Sequence, residues 1–154
     1  MGNEKNDMEI LEIEHDELQF KSFSNIKALE IGLRLKEIAE KKQLAITIDI
    51  ERHSQQLFHY ALEGTSKDND QWIKRKNRVV NHFGKSSYYI KKYIEKKNTS
   101  LKDLFFLNSE EYSAFGGAFP IFMKDTGIVG TITVSGLPDV EDHNLVVAVI
   151  KEFI

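Results

Sequence analysis

The sequence predicts a three-layer α+β domain, and three observations carry that reading. Two pairs of strand-like segments are each joined by a short polar turn, which makes hairpins and a mostly antiparallel sheet. Helical patterns stand before, between and after those pairs, enough to cover both faces of the sheet. The 154 residues are 41% hydrophobic with no linker-like stretch, so one domain with a sizeable core is expected.

Residues 1–6 read as a disordered tail, and residues 1–16 as an acidic, partly disordered segment ahead of a single domain over 17–154. Met8 to Phe20 alternates apolar and acidic residues, which suits a short helix followed by an extended stretch. Ser24 is an N-cap for a helix from Asn25 to about Lys42. Ile26, Leu29, Leu33, Ile38 and Ala39 fall on one stripe of it and form its expected buried face. Ala45–Ile50 and Gln56–Leu62 are strands joined across Arg52-His53-Ser54. Asp68, with Gln71 as capping-box partner, opens the next helix. That helix carries Trp72, Ile73, Val79, Val80 and Phe83 and stops at Gly84. Ser86 or Ser87 caps a further helix with Ile90, Tyr93 and Ile94 inward. Single turns are expected at Ser100–Phe106 and Ser109–Tyr112. Strands Ala118–Met123 and Ile128–Val134 flank the turn Lys124–Gly127, and Asp139 caps a final helix. A fifth strand would fall at Glu17–Phe20 or near Leu104–Leu107.

Composition excludes several chemistries. Cysteine is absent, which removes thiol catalysis, cysteine-ligated zinc and disulfides. No apolar run reaches the roughly 18–20 residues needed to span a membrane. The start of the chain lacks the pattern of a secretory signal, so a cytoplasmic location is expected. Net charge is −3, and no nucleic-acid reader motif accompanies the basic residues, so nucleic acid is not the expected partner. Charge is nevertheless uneven. Residues 1–20 carry seven acids and one Lys, whereas residues 71–97 carry nine basic residues and one Glu. Such a dipolar surface favours self-association between unlike patches about as readily as a foreign partner.

Several strings together resemble one family. They are Gln56-Leu57-Phe58, Gly64-Thr65, Asp68-Asn69 with Trp72-Ile73 and Arg75-Lys76, and Ser86-Ser87-Tyr88. Further along they are Gly117-Ala118-Phe119-Pro120-Ile121, Gly130-Thr131, Val134-Ser135-Gly136-Leu137-Pro138 and Asp142-His143. Over residues 17–154 these resemble the haem-degrading domain family, also called GlcG/HbpS-like, and within it an uncharacterised bacterial and fungal branch. The resemblance implies a profilin-like fold: a five-stranded, mostly antiparallel sheet with helices on both faces, in symmetric homo-oligomers. Haem enters as a cofactor through that resemblance alone, since no haem-ligand motif carries over residue by residue.

The residues themselves suggest where a ligand would sit. Acidic residues crowd the start of the last helix, where capping and dipole compensation account for them without a ligand. The functional alternative makes Asp142 and His143 ligands or an acid–base pair. A Ser135–His143–Asp142 triad is disfavoured, because adjacent helical residues point about 100° apart and no nucleophile elbow is present. Gly117, next to the rigid Pro120, permits close backbone approach. Trp72 and Arg75 can share a face with Lys76 and Val79, and Arg75 suits a carboxylate or phosphate. None of the five histidines forms a zinc-type pair, and His59, His82 and His143 stay open as haem contacts.

The expected site therefore combines Trp72, Arg75, Gly117, Pro120, Ser135, Gly136, Asp142 and His143. It lies between the last strands and neighbouring helices, with no catalytic residue and no metal ligand assigned. The expected function is a non-catalytic homo-oligomer that binds a small anionic or haem-like ligand. The alternatives are an enzyme of haem or small-molecule metabolism using His143, and an adaptor that binds a protein through its basic helix.

Overall fold

A computed structural model describes residues 6–154. The chain runs α1 (Asp7–Glu17), β1 (Gln19–Phe20), α2 (Asn25–Lys42), β2 (Thr47–Arg52), β3 (Gln55–Ala61), α3 (Lys67–Phe83), α4 (Ser87–Lys96), α5 (Leu101–Phe105), β4 (Ala118–Met123), β5 (Gly127–Ser135) and α6 (Asp139–Phe153). Apart from Asn6, the expected disordered tail lies outside the described residues. Asn6 caps α1, its side chain accepting from the Glu9 N–H at 2.9 Å.

The five strands form one sheet in the order β1-β4-β5-β2-β3. Only β1 with β4 is parallel; the other neighbours are antiparallel. The fifth strand is thus Gln19–Phe20, against Phe122 and Met123. The other candidate, Leu104–Leu107, falls instead at the end of α5, where Phe106 turns left-handed at φ 61°.

Strand alternation gives the sheet two unlike faces. Ile48, Ile50, Phe119, Ile121, Ile132 and Val134 point to one side and pack with Ile31 and Leu35 of α2 and Val146 and Ile150 of α6. The other side presents Thr47, Asp49 and Glu51 of β2 opposite Ser135, Thr133 and Thr131 of β5. Helix α3 covers this polar face and lies against β5, β4 and β2. A smaller core around Val79, Ile90, Leu101 and Ala114 joins α3, α4 and α5.

Three local expectations need correction. The buried stripe of α2 is Ala28, Ile31, Leu35 and Ala39, while Ile26, Leu29 and Leu33 are exposed. Both stripes have helical spacing, and the one that runs the full length of the helix faces the sheet. Helix α3 begins earlier than Asp68: the Asn69 side chain accepts from the Ser66 N–H at 3.0 Å, so Gln71 is not the capping partner. Pro138, not Asp139, occupies the cap position of α6.

The acidic start and the basic middle of the chain meet each other. Helix α1 packs on α4, with Lys92 3.6 Å from Asp7 and the Tyr89 hydroxyl donating to Glu12 at 3.3 Å. Part of the charge asymmetry is therefore answered inside the chain. The Ser86-Ser87 pair has a structural use: Ser86 caps α4, and the Ser87 Oγ accepts from the Ala118 N–H at 3.1 Å. Among the described residues no helix is long and apolar enough to cross a membrane.

Candidate functional site

The site begins at the corner between β5 and α6. Gly136 has φ +147°, and a Cβ there would stand 2.2 Å from the Ala45 carbonyl oxygen, so only glycine lets the chain turn here. One turn into α6 the Asp142 carboxylate folds back to accept from the Leu137 N–H at 3.0 Å and the Gly136 N–H at 3.4 Å. Asp139 braces the neighbouring loop, accepting from the Gly116 N–H at 3.1 Å and pairing with Lys91 at 2.8 Å.

Lys76 reaches this corner from α3. Its ammonium donates to the Val134 carbonyl at 3.1 Å and to the Asp142 carboxylate at 3.2 Å. Both charged side chains are buried. Gly117, at φ +135°, makes room for the pair, since a Cβ there would lie 2.6 Å from the Lys76 Nζ. Burial holds the Lys76 pKa below its ordinary value, although Asp142 opposes that shift. Burial likewise pushes Asp142 up to about 6 against the pull of Lys76. Desolvation thus brings the ionised and neutral forms of the pair closer in energy.

A cavity of about 250 Å³ opens beside the pair, with Asn69, Trp72, Lys76, Phe115, Ser135 and Asp142 among its walls. Trp72 and Phe115 meet edge to face, with ring centroids 5.7 Å apart. The Asn69 amide is 3.5 Å from the Ser135 Oγ. Arg75 caps the outer face of Trp72 at 5.3 Å, and its Nε donates to the Glu110 carbonyl at 3.2 Å. The site is therefore a small aromatic-walled pocket with a buried ion pair in its wall.

The structure brings Trp72, Ser135, Gly136 and Asp142 into this pocket, and Gly117 adjoins it through Lys76. It does not bring the other three. Pro120 is within β4 opposite Thr131. Arg75 braces Trp72 from outside. His143 points away from the pocket, about 100° round α6, where its Nε2 is 2.8 Å from Glu14 and its ring packs against Tyr88 and Phe119. Neither an Asp142–His143 pair nor a Ser135 triad is formed. Sequence reasoning left Lys76, Asn69 and Phe115 out of the site. For Lys76 the signal was its position one turn after Trp72, which puts both on one face.

The buried polar layer continues under α3. Thr133 donates to Asn77, whose amide donates to Glu51 at 2.6 Å and Asp49 at 3.3 Å. His59 stands 3.1 Å from Asp49 and 3.3 Å from Asp70. Burial, with Asp49 beside it, pushes the Glu51 carboxyl up to about 7. Among the described residues no cluster has the geometry to hold a metal ion.

The pocket's donor set does not fit haem. Its walls present no histidine, and its volume of about 250 Å³ is below the roughly 300–1,000 Å³ of pockets that enclose drug-sized ligands.

Fold and site together define a class: a three-layer α+β domain whose sheet is apolar on one face and polar on the other, with a small pocket at the polar corner. The family described as haem-degrading protein HbpS-like matches residues 23–151. A UPF0303 protein of Psychromonas ingrahamii is 44% identical over 152 residues, covering 99% of this chain and 96% of that protein. A UPF0303 protein of Streptomyces coelicolor is also 44% identical, covering 94% of this chain and 93% of its own length. The chain belongs to the HbpS-like haem-degrading family. Among solved structures, the Ybr137w protein superposes with a TM-score of 0.88 at 28% identity, covering 97% of this chain and 88% of that one. The structure of a PduOC–haem complex has the same fold, with a TM-score of 0.67 at 16% identity, covering 84% of this chain and 92% of that one.

Proposed function

We propose that this chain is a binding protein for a small, planar ligand and acts as a homo-oligomer. One observation carries the ligand reading. The Trp72–Phe115 wall stands over a cavity whose polar groups, Asn69 and Lys76 of α3 and Ser135 of β5, converge from two separate elements. Convergent polar groups in an aromatic pocket are the usual signature of a ligand site. Lys76 is held by Asp142 and the Val134 carbonyl and Arg75 lies outside, so the walls do not favour the anionic ligand expected from Arg75. Trp72 is the single tryptophan and therefore a built-in reporter. Native mass spectrometry of the purified protein should show a co-purified small molecule, and its removal should change Trp72 emission. Emission that ignores both removal and re-addition would sink the reading.

The oligomer reading rests on α2. Ile26, Leu29 and Leu33 are 65%, 45% and 48% exposed on one face, beside Lys27, Glu30, Arg34 and Glu37. A stripe of this kind suits an isologous contact. Light scattering should give a multiple of 17.8 kDa, and Leu29→Glu with Leu33→Glu should lower it. A monomer at high micromolar concentration would exclude the contact.

A second reading, haem binding, is favoured by the likeness to the PduOC–haem complex. It would place haem outside the pocket. Absence of a Soret shift at micromolar haem would end it.

A further inference from the structure

We infer that Lys76 captures a small, uncharged aldehyde or ketone as a reversible imine, with Asp142 as its proton partner. The inference deepens the pocket reading above and rests on it. The Lys76 side chain is buried, yet it forms part of the cavity wall. A lysine ammonium has three N–H donors. Here two are taken, by Val134 and Asp142, and no third acceptor is in hydrogen-bond reach among the described residues. Gly117 leaves the flank of the nitrogen without a side chain. A lysine that served only to tie α3 to α6 would need no cavity beside it.

The chemistry balances within the pair. One ammonium proton passes to the Asp142 carboxylate, 3.2 Å away, which leaves a free amine and a neutral acid. Burial favours that exchange, in line with the lowered Lys76 and raised Asp142 pKa values. The amine lone pair attacks the carbonyl carbon and forms the C–N bond. A proton moves from nitrogen to oxygen, giving a carbinolamine. Asp142 then returns its proton to the hydroxyl, the C–O bond breaks and water leaves. The net change is ammonium plus carbonyl to protonated imine plus water, with no oxidant or reductant. The protonated imine keeps its positive charge beside the restored carboxylate, so the buried pair survives capture.

The walls set the class of carbonyl compound. Trp72 and Phe115 suit a flat, apolar body. The carboxylate of Asp68 at the edge disfavours a substrate carboxylate. Ser135 and Asn69 offer polar partners to the carbinolamine oxygen.

The test uses the full chain near pH 7 with benzaldehyde and sodium cyanoborohydride, which reduces an imine to a stable benzylamine. Peptide mass mapping then locates the adduct. Benzylation at Lys76 should run about tenfold faster than at the well-exposed Lys41, because a buried, readily neutralised lysine is the better nucleophile. 4-Formylbenzoate, with the same carbonyl and a negative charge, should label Lys76 more slowly than benzaldehyde does. Benzyl alcohol, which has the ring without the carbonyl, should still alter Trp72 emission. The variant Lys76→Arg should lose the adduct. If this variant does not fold, the comparison of Lys76 with Lys41 within the native protein decides. Benzyl alcohol acting on Trp72 while Lys41, but not Lys76, is benzylated would leave the pocket standing and overturn the imine. No emission change and no Lys76 adduct would overturn both.

Discussion

Acidification from pH 7 to pH 5 should take stability from this fold at His15 of α1, against opposite contributions from Glu51 and Asp142. The His15 ring is buried among Tyr89, Phe119 and Phe122, with centroids 5.2, 5.5 and 5.6 Å away. Its Nε2 accepts from the Ser86 N–H at 3.0 Å, so the ring is neutral there, and its Nδ1 has no partner among the described residues. Burial, with Lys85 and His143 nearby, lowers its pKa from 6.5 to about 3. Between those values the unfolded chain holds a proton that the folded chain refuses, so stability falls as pH falls. Each pH unit in that window is worth about 1.4 kcal/mol, so the descent from 6.5 to pH 5 costs about 2 kcal/mol. Asp142 works with the opposite sign. Between 3.8 and about 6 the folded chain keeps a proton that the unfolded chain has released, so acidification there stabilises. The His15 contribution must therefore be isolated by difference. His15→Gln retains an acceptor for Ser86 and cannot take up a proton. In urea unfolding, the stability of the native chain relative to this variant should shrink by about 2 kcal/mol from pH 7 to pH 5. A difference that stays flat would refute the reasoning.

Three further outcomes are expected. Lys76→Met leaves Asp142 buried without its cation and should cost about 3–5 kcal/mol by urea unfolding. Adding Asp142→Asn should recover part of that loss, and strictly additive losses would count against the pair. Gly117→Ala drives a methyl to within 2.6 Å of the Lys76 Nζ at φ +135°; a loss of about 2–4 kcal/mol is expected from strain and overpacking, read from the thermal midpoint. Glu51 is raised from 4.5 to about 7, so its folded form keeps a proton across that window and stability declines as pH rises through it. Glu51→Gln should flatten that decline, and an unchanged pH profile would rule the residue out as its source.

Local chemistry announced much of this molecule. The Ser24 cap and the helix after it run as expected, and so does the strand Ala118–Met123. Gly136 and Asp142 stood out for their residue types, and both belong to the pocket. What could not be read depends on distant partners. Gln19–Phe20 was one of two places offered for the fifth strand, and only pairing with β4 decides between them. Helix α2 is apolar on more than one stripe, and nothing local says which one meets the sheet. His143 was grouped with Asp142 because they adjoin in sequence, but the helix turns them about 100° apart, one toward Lys76 and the other toward Glu14. Lys76 sits in a basic run that reads as solvated. Its burial depends on Gly117 and Asp142, which come 41 and 66 positions later.

The two-faced sheet also bears on how strand β5 finds its place. A strand with one greasy side is held in register by that side alone. Here Ile132 and Val134 must meet the aliphatic layer, while Thr131, Thr133 and Ser135 must meet Asn77, Asn69 and their neighbours. A slip of one residue would invert every side chain, stranding hydroxyls among the isoleucines and pressing Val134 onto the Lys76 ammonium. The polar layer that houses the pocket therefore also acts as a proofreader of strand alignment. Substitutions that tune the ligand at Thr133 or Ser135 would then trade against the fidelity of folding.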